Sequence, residues 1–169
     1  NSPIETLRLS GNFEVCALDR LIPLLKYLPQ LKTFHIEATD LLWYASVPLP
    51  LETIDFASPV KQLRLMLEKL STPFDRWFDH FIRVMPKLES IEFCLREASP
   101  PQTELFSFLN LSDWTKLFIA LSHLKQITLK LKIPPPNGPV SEKQWKRASN
   151  QLIQCAKRHH IQFSIVELK

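Results

Sequence analysis

The chain has 169 residues, 45% of them hydrophobic and 22% charged, which is typical of one packed domain and excludes wholesale disorder. Its net charge of +4 is small and its Lys and Arg residues are scattered, so the composition makes nucleic acid an unlikely partner. No apolar run approaches the roughly 18 residues of a membrane span, and residues 1–20 lack the features of a signal peptide.

A short pattern at the start of the chain returns several times. Residues 4–12 read apolar-x-x-Leu-x-Leu-x-x-Asn, and alternation along a strand would point both Leu side chains to the interior. From Ile4 the first positions advance by 27, 29 and 28 residues to Leu31, Val60 and Leu88, and then by 36 to Leu124. The later copies are 31–36 (LKTFHI), 60–65 (VKQLRL), 88–93 (LESIEF), 124–129 (LKQITL) and, more weakly, 162–166 (QFSIV). The pattern predicts about five to six repeated strands, with an insertion before Leu124.

The segment after the first strand has helical periodicity. Apolar residues at 18, 21, 22, 25 and 28 share one helical face, and Pro23 predicts that this helix is short. Leu28-Pro29-Gln30-Leu31 then reads as a tight return into the second strand, and the same phrase recurs at 85–88 and 121–124.

The region between the second and third strands is ambiguous. Residues 40–44 read as a turn of helix that Pro48 and Pro50 end. Residues 51–56 are strand-like but too close to the next strand for a full repeat, so they form either a loop on the back of the molecule or the true third strand. The repeat count therefore stays open here.

The clearest helix follows the third strand. Thr72 is its expected N-cap and Pro73 suits its first position. Its apolar residues form one stripe, which predicts packing on the back of the sheet and not a cofactor site: Phe74, Trp77, Phe78, Phe81, Ile82 and Met85.

Two more helices are expected in the last third of the chain. Residues 98–102 and the proline run at 133–139 predict loops, the second as an exposed turn or polyproline II segment. Ser112 is the expected cap of a helix to about His123, and Ser141 the cap of the longest helix. Their inward residues are Trp114, Leu117, Phe118 and Leu121 in the first, and Trp145, Ala148, Ser149, Leu152, Cys155, Ala156 and His159 in the second.

The repeated strands, their regular spacing and the tight turns that lead into them resemble a leucine-rich repeat array over roughly residues 4–168. The resemblance implies an α/β solenoid with a curved parallel sheet on the concave face and helices on the convex face. Aromatic-rich helices and Leu-Pro-x-Leu returns are similar to the repeats of fungal-type F-box proteins, in which the repeats choose the substrate of a ubiquitin ligase. No F-box is evident, so any ligase contact would lie in regions absent here; the closing Asn of the repeat occurs only at Asn12. The alternative is a stand-alone repeat scaffold or sensor region without a ligase link.

The chain is expected to be a single domain spanning residues 1–169 and a piece of a longer protein, since it begins Asn1-Ser2-Pro3 without a capping segment. Cys16, Cys94 and Cys155 are odd in number and irregularly spaced. This usage argues against a disulfide framework and favours the cytoplasm or nucleus.

Outward residues of successive strands should form rows across the sheet. The central row is Arg8, His35, Arg64, Glu92, Thr128 and Ser164, and the row two residues later is Ser10, Glu37, Met66, Cys94 and Lys130. The earlier row is Thr6, Thr33, Gln62, Ser90 and Gln126. The residues expected to bind a partner protein are Arg8, Lys32, His35, Glu37, Lys61, Arg64, Glu92, Thr128 and Lys130. Basic residues in the N-terminal half favour a partner with an acidic or phosphorylated segment. The alternative is that these residues are simply solvated strand positions without a binding role.

The sequence predicts no enzyme, cofactor or metal site. Cys94 and His35 face the same way but should lie two strands apart, about 10 Å, too far for a nucleophile and its base. Cys155, His159 and His160 are metal-ligating residue types at helical spacing. A Cys packed in the core and two His residues at the end of a helix explain them better than a metal site does. Gly11 and Gly138 are the two glycines of the chain, and neither belongs to a phosphate-binding loop.

Overall fold

The computed structural model describes residues 4–10, 15–42, 56–68, 78–79, 82–96, 108–132 and 140–168. These residues form an α/β structure with one six-stranded parallel sheet and a small two-stranded sheet. The elements are β1 (Thr6–Leu9), β2 (Val15–Ala17), α1 (Leu18–Lys26), β3 (Thr33–Ala38), β4 (Asp40–Leu42), β5 (Gln62–Leu67), a 3₁₀ turn (Ile82–Val84), β6 (Ser90–Leu95), α2 (Leu111–Ala120), β7 (Gln126–Leu131), α3 (Glu142–Arg158) and β8 (Gln162–Glu167).

The strands of the large sheet follow one another in the order β1-β3-β5-β6-β7-β8, and every neighbouring pair is parallel. All six strand patterns seen in the sequence are therefore confirmed as strands. In the second to fifth copies, the strand begins two residues after the first apolar position of the pattern. That first residue is instead buried beneath the start of the strand, as for Leu31, Val60, Leu88 and Leu124.

The return into three of the strands is one repeated turn. In each, the last amide of the phrase donates to the carbonyl three residues earlier: Leu31 to Leu28 at 3.1 Å, Leu88 to Met85 at 3.2 Å, and Leu124 to Leu121 at 3.0 Å. The next amide reaches across to the previous strand, as Lys32 N does to Glu5 O at 2.8 Å. A fixed turn length thus brings equivalent positions of successive repeats side by side.

The core lies between the helices and one face of the large sheet. Trp114 of α2 is fully buried, its indole Nε1 donates to the Phe108 carbonyl at 2.7 Å, and its ring meets Phe108 and Phe163 edge-on. Loss of a buried ring of this kind costs about 3–5 kcal/mol. The inward residues expected for α2 and α3 are all buried or half-buried, so that prediction is confirmed.

The caps of α2 and α3 differ in how well the sequence predicts them. Ser141 caps α3 as expected, in a reciprocal capping box with Gln144. The expected Ser112 cap of α2 is wrong: the cap and the start of the helix both lie two residues earlier, and Asn110 Oδ1 accepts from the Ser112 amide at 2.9 Å. Both residues are good N-caps, so the sequence alone does not distinguish them.

Residues 40–42 correct another expectation. They form strand β4, parallel to β2, and not a turn of helix. A three-residue strand carries too little periodicity to be recognised, and its partner strand is equally short. Residues 51–55 and the helix predicted from Thr72 fall largely outside the described residues, as do the loops at 98–102 and 133–139. Within the predicted stripe of that helix, Phe78, Ile82 and Met85 are described and buried, as expected.

Pro23 lies at the sixth position of α1 and not in its first turn. The helix is nevertheless short, with nine residues, as the sequence predicts. In the part of the chain that the structure describes, no helix combines the length and the apolar character needed to cross a bilayer.

Candidate functional site

One face of the large sheet, here called the open face, carries the outward residues of all six strands. The pairing of the strands confirms the three rows expected from the sequence, except for Ser10, which lies beyond the paired residues of β1. The central row runs in register through Arg8, His35, Arg64, Glu92, Thr128 and Ser164. Its members belong to six different strands, so neighbouring side chains are separated by about 4.8 Å, the strand spacing.

Two shallow depressions lie on this face. The first, of about 350 Å³, surrounds His35 and Arg64, and half of its twelve lining residues have hydroxyl or amide side chains: Thr6, Thr33, Gln62, Ser90, Gln126 and Thr128. The second, of about 360 Å³, lies at the C-terminal ends of β3, β5 and β6, where Glu37 and Arg96 meet. Both are open concavities lined by hydrogen-bonding groups.

Three glutamates, Glu37, Glu89 and Glu92, are here called the bridging carboxylates because each contacts two cations from other strands or strand ends. In each case the two oxygens take one cation each. The pairs are Arg8 (3.1 Å) and Arg96 (3.3 Å) with Glu37, Lys61 (2.8 Å) and Lys125 (3.0 Å) with Glu89, and Arg64 (3.2 Å) and Lys130 (2.7 Å) with Glu92. The Lys130 contact is an ion pair without hydrogen-bond geometry.

The ion pairs reduce the positive charge that the sequence predicts for this face. A seventh ion pair joins Lys32 to Glu5 at 2.7 Å, so each of the four N-terminal cations expected to attract a partner contacts a carboxylate. The positive bias inferred from the sequence is therefore smaller than a count of basic residues indicates. What remains is one excess positive charge at each bridging carboxylate.

The bridging arrangement lowers carboxyl pKa values. Hydrogen bonds from Lys61 and Lys125 lower the pKa of Glu89 to about 2. A hydrogen bond from Arg8, with the nearby charge of Arg96, lowers the pKa of Glu37. These glutamates stay ionised in the folded protein well below the pH at which free carboxyl groups take up protons.

His35 occupies the middle of the first depression. Its Nε2 atom is buried and has no hydrogen-bond partner among the described residues. Burial, together with the charges of Arg64 and Arg8 on the neighbouring strands, lowers its pKa, against a smaller opposing effect of Glu37 and Glu92. The ring is therefore neutral at physiological pH.

Among the described residues, the candidate reactive side chains Cys94 and His35 lie apart. Cys94 lies on β6 and His35 on β3, with β5 between them. Cys94 is buried although it belongs to the open face, and Cys155 contacts the Thr115 hydroxyl at 3.4 Å. His159 packs on the ring of Phe118, with ring centres 5.7 Å apart. Among the described residues, no group of three or more His, Cys, Asp or Glu side chains could hold a metal ion.

Sequence reasoning found the rows but missed part of the charge network. Arg96, which follows β6, is not among the expected site residues, and neither are Glu89 and Lys125 at the starts of their strands. A usable signal was present, because Lys or Glu recurs at the second position of the repeat pattern in Glu5, Lys32, Lys61, Glu89 and Lys125. Where a Lys and a Glu occupy this position on neighbouring strands, a cross-strand ion pair is expected.

Comparison with known proteins gives no relative on which a function could rest: no family model matches the chain, and no curated protein or solved structure matches it.

Proposed function

We propose that this chain is a leucine-rich repeat segment whose open face binds a partner protein. The observation that carries the proposal is the unbroken register of one parallel sheet through six strands in chain order, three of which are entered by the same turn. Such stacking is the architecture of repeat proteins, which use an extended, curved sheet face for binding. No catalytic arrangement competes with this use among the described residues.

The rows suggest the shape of the ligand. Six strands span about 24 Å across the sheet, which an extended segment of about seven residues would cover. The polar row beside the centre supplies hydroxyl and amide groups that can pair with a peptide backbone: Thr6, Thr33, Gln62, Ser90, Gln126 and Gln162. An extended polypeptide lying across the strands would bring its backbone groups to this row.

The charges favour an acidic or phosphorylated segment, although less strongly than the sequence alone indicates. Each bridging carboxylate neutralises one of its two cations, which leaves a net charge of about +1 at each of three places. A ligand carboxylate or phosphate can approach these places without displacing the glutamate. Spaced single charges of this kind contribute to encounter and orientation more than to affinity.

The more specific form of the proposal is that the partner is a substrate of an F-box ubiquitin ligase. It rests on the style of the repeats, and the ligase contacts would lie outside this chain. The second candidate, a stand-alone scaffold or sensor region, shares the same binding face. The identity of the proteins recovered with the full-length protein distinguishes the two.

The test is an affinity purification of the full-length protein in three forms, with recovered proteins quantified by mass spectrometry. The forms are wild type, a sheet variant (Arg8→Ala, His35→Ala, Arg64→Ala) and a helix variant (Lys143→Gln, Arg147→Gln) that changes α3 instead. All replaced side chains are exposed or half-exposed, so unchanged melting temperatures are expected and serve as the folding control.

We expect at least one protein to be lost from the sheet variant and retained by the helix variant. Recovery of a cullin ligase core with all three forms would support the F-box reading, and its absence from all three would leave the scaffold reading. Identical protein sets from wild type and sheet variant would contradict a binding role of the open face.

A further inference from the structure

The largest unpaired charge of the described molecule lies on α3 and not on the open face. This helix contains five basic residues and one acidic residue, a net charge of +4. The whole chain, with 21 basic and 17 acidic residues, has the same net charge of +4. The remaining 152 of the 169 residues are therefore neutral in sum, and one helix holds the entire excess.

The basic side chains of α3 share one solvent-exposed face. Lys143, Arg147, Asn150, Gln154 and Lys157 follow each other at i, i+4, i+7, i+11 and i+14, and all of them are exposed. Arg158 is exposed beside Lys157. The outer face of α3 is defined here by these six residues. It is a continuous stripe, about 22 Å long from Lys143 to Arg158, of groups that donate hydrogen bonds.

Four cations of this stripe have no acidic partner in the described part of the chain: Lys143, Arg147, Lys157 and Arg158. The helix's one glutamate, Glu142, is bound to Lys146 by an ion pair, which lowers the pKa of Glu142 and raises that of Lys146. Unlike the cations of the open face, these four are available to an external anion.

Helix stability does not explain the whole stripe. Lys157 and Arg158 lie in the last turn, where the helix dipole favours positive charge. Lys143 lies in the first turn and Arg147 in the second, near the end where the dipole favours negative charge. Lys143 therefore works slightly against helix formation and Arg147 gains nothing from the dipole, which points to a role in binding.

From this geometry we infer that the outer face of α3 binds the sugar–phosphate backbone of a nucleic acid. Lys, Arg, Asn and Gln are the side chains that proteins use for phosphate contacts. An acidic lipid surface fits less well, because the apolar side of α3 is already buried through Trp145, Leu152 and Ala156. None of the exposed large apolar side chains of the described residues belongs to α3, so nothing is left to insert into a bilayer.

The test is fluorescence anisotropy of the full chain with a 20-base-pair DNA duplex and with a 20-nucleotide RNA, at 50 to 200 mM salt. About four phosphate contacts to duplex DNA give a slope of log K against log salt of about −3.6, or roughly 100-fold weaker binding across this range. We expect similar affinities for two unrelated sequences, because backbone contacts carry no sequence information.

Two variants with the same loss of charge distinguish a site from general attraction. For this test the helix variant is extended by two changes to Lys143→Gln, Arg147→Gln, Lys157→Gln and Arg158→Gln, and Gln keeps a good helix propensity at each position. The matched variant carries Lys61→Gln, Arg64→Gln, Arg96→Gln and Lys125→Gln, which removes two Lys and two Arg from the bridging pairs. We expect at least tenfold weaker binding for the helix variant and less than threefold for the matched one.

Three results would overturn the inference. They are no binding of either nucleic acid up to 100 µM protein at 50 mM salt, an equal loss in both variants, or binding to phosphatidylserine vesicles with no binding to nucleic acid. Circular dichroism melting of each variant shows whether a loss comes from unfolding.

Discussion

The open face and the outer face of α3 carry cations in opposite states. On the open face each of six cations contacts a bridging carboxylate, whereas four of the five cations of α3 contact none among the described residues. Parallel register causes the difference. It brings residues about 28 positions apart in sequence to neighbouring strands, so that a carboxylate has a possible cation on each side.

The helix offers fewer ways to neutralise a charge. Side chains on a helix meet mainly at i+3 and i+4, and α3 contains a single acidic residue, at its first position. Only Lys146 lies within its reach. Equal numbers of basic residues on two surfaces therefore do not give equal attraction for anions, and the pairing geometry decides which surface is available.

The largest expected effect comes from removing carboxylates from the open face. Glu89→Gln with Glu92→Gln leaves four cations without a partner, Lys61, Lys125, Arg64 and Lys130, and makes this face resemble the outer face of α3. We expect at least tenfold tighter binding to duplex DNA at 100 mM salt and a steeper salt dependence, measured by fluorescence anisotropy.

A charge-matched control separates this effect from net charge. Glu68→Gln with Glu167→Gln also raises the net charge from +4 to +6, but no described cation contacts either residue, so no pair is opened. Equal gains in the two double variants would mean that the carboxylates do not mask the cations of the open face.

A smaller effect concerns stability and pH. The pKa of Glu89 is lowered to about 2 from its ordinary value of 4.5, so its contribution to stability is complete above about pH 4.5 and is lost as pH falls toward 2. We expect the difference in unfolding free energy between wild type and Glu89→Gln, from urea denaturation, to shrink over that interval. Glu142→Gln on α3 should show the same trend with a smaller amplitude, because one lysine lowers that pKa. A difference that does not change with pH would contradict the bridging geometry.

Much of the fold could be predicted from the sequence because its signals are local and repeated. The six strands follow from the apolar-x-x-Leu-x-Leu pattern, and the central row from His35 to Thr128 follows from alternation once the strands are parallel and in register. The β2–β4 pair escaped prediction because three residues carry no measurable periodicity. The Asn110 cap was missed because Asn110 and Ser112 are both suitable and the tertiary structure decides between them.

The candidate site was less predictable. Which residues share the open face depends on register alone, but how their charges interact depends on side-chain contacts between strands and strand ends, as for Arg8 and Arg96 on Glu37. The accumulation of charge on α3 could have been read from the sequence, since five basic residues and one acidic residue lie within its 17 positions. The net charge of the whole chain does not reveal it, because the other 152 residues are neutral in sum.

One crosslinking experiment tests the central claim most directly, which is that the open face binds protein. A photoreactive amino acid replaces Gln62, in the polar row of the open face, or Asn150, in the middle of the α3 stripe, and the full-length protein is irradiated in cells. We expect a protein adduct at position 62 that survives nuclease treatment, and no protein adduct at position 150. Protein adducts from position 150 alone, or from neither position, would contradict it.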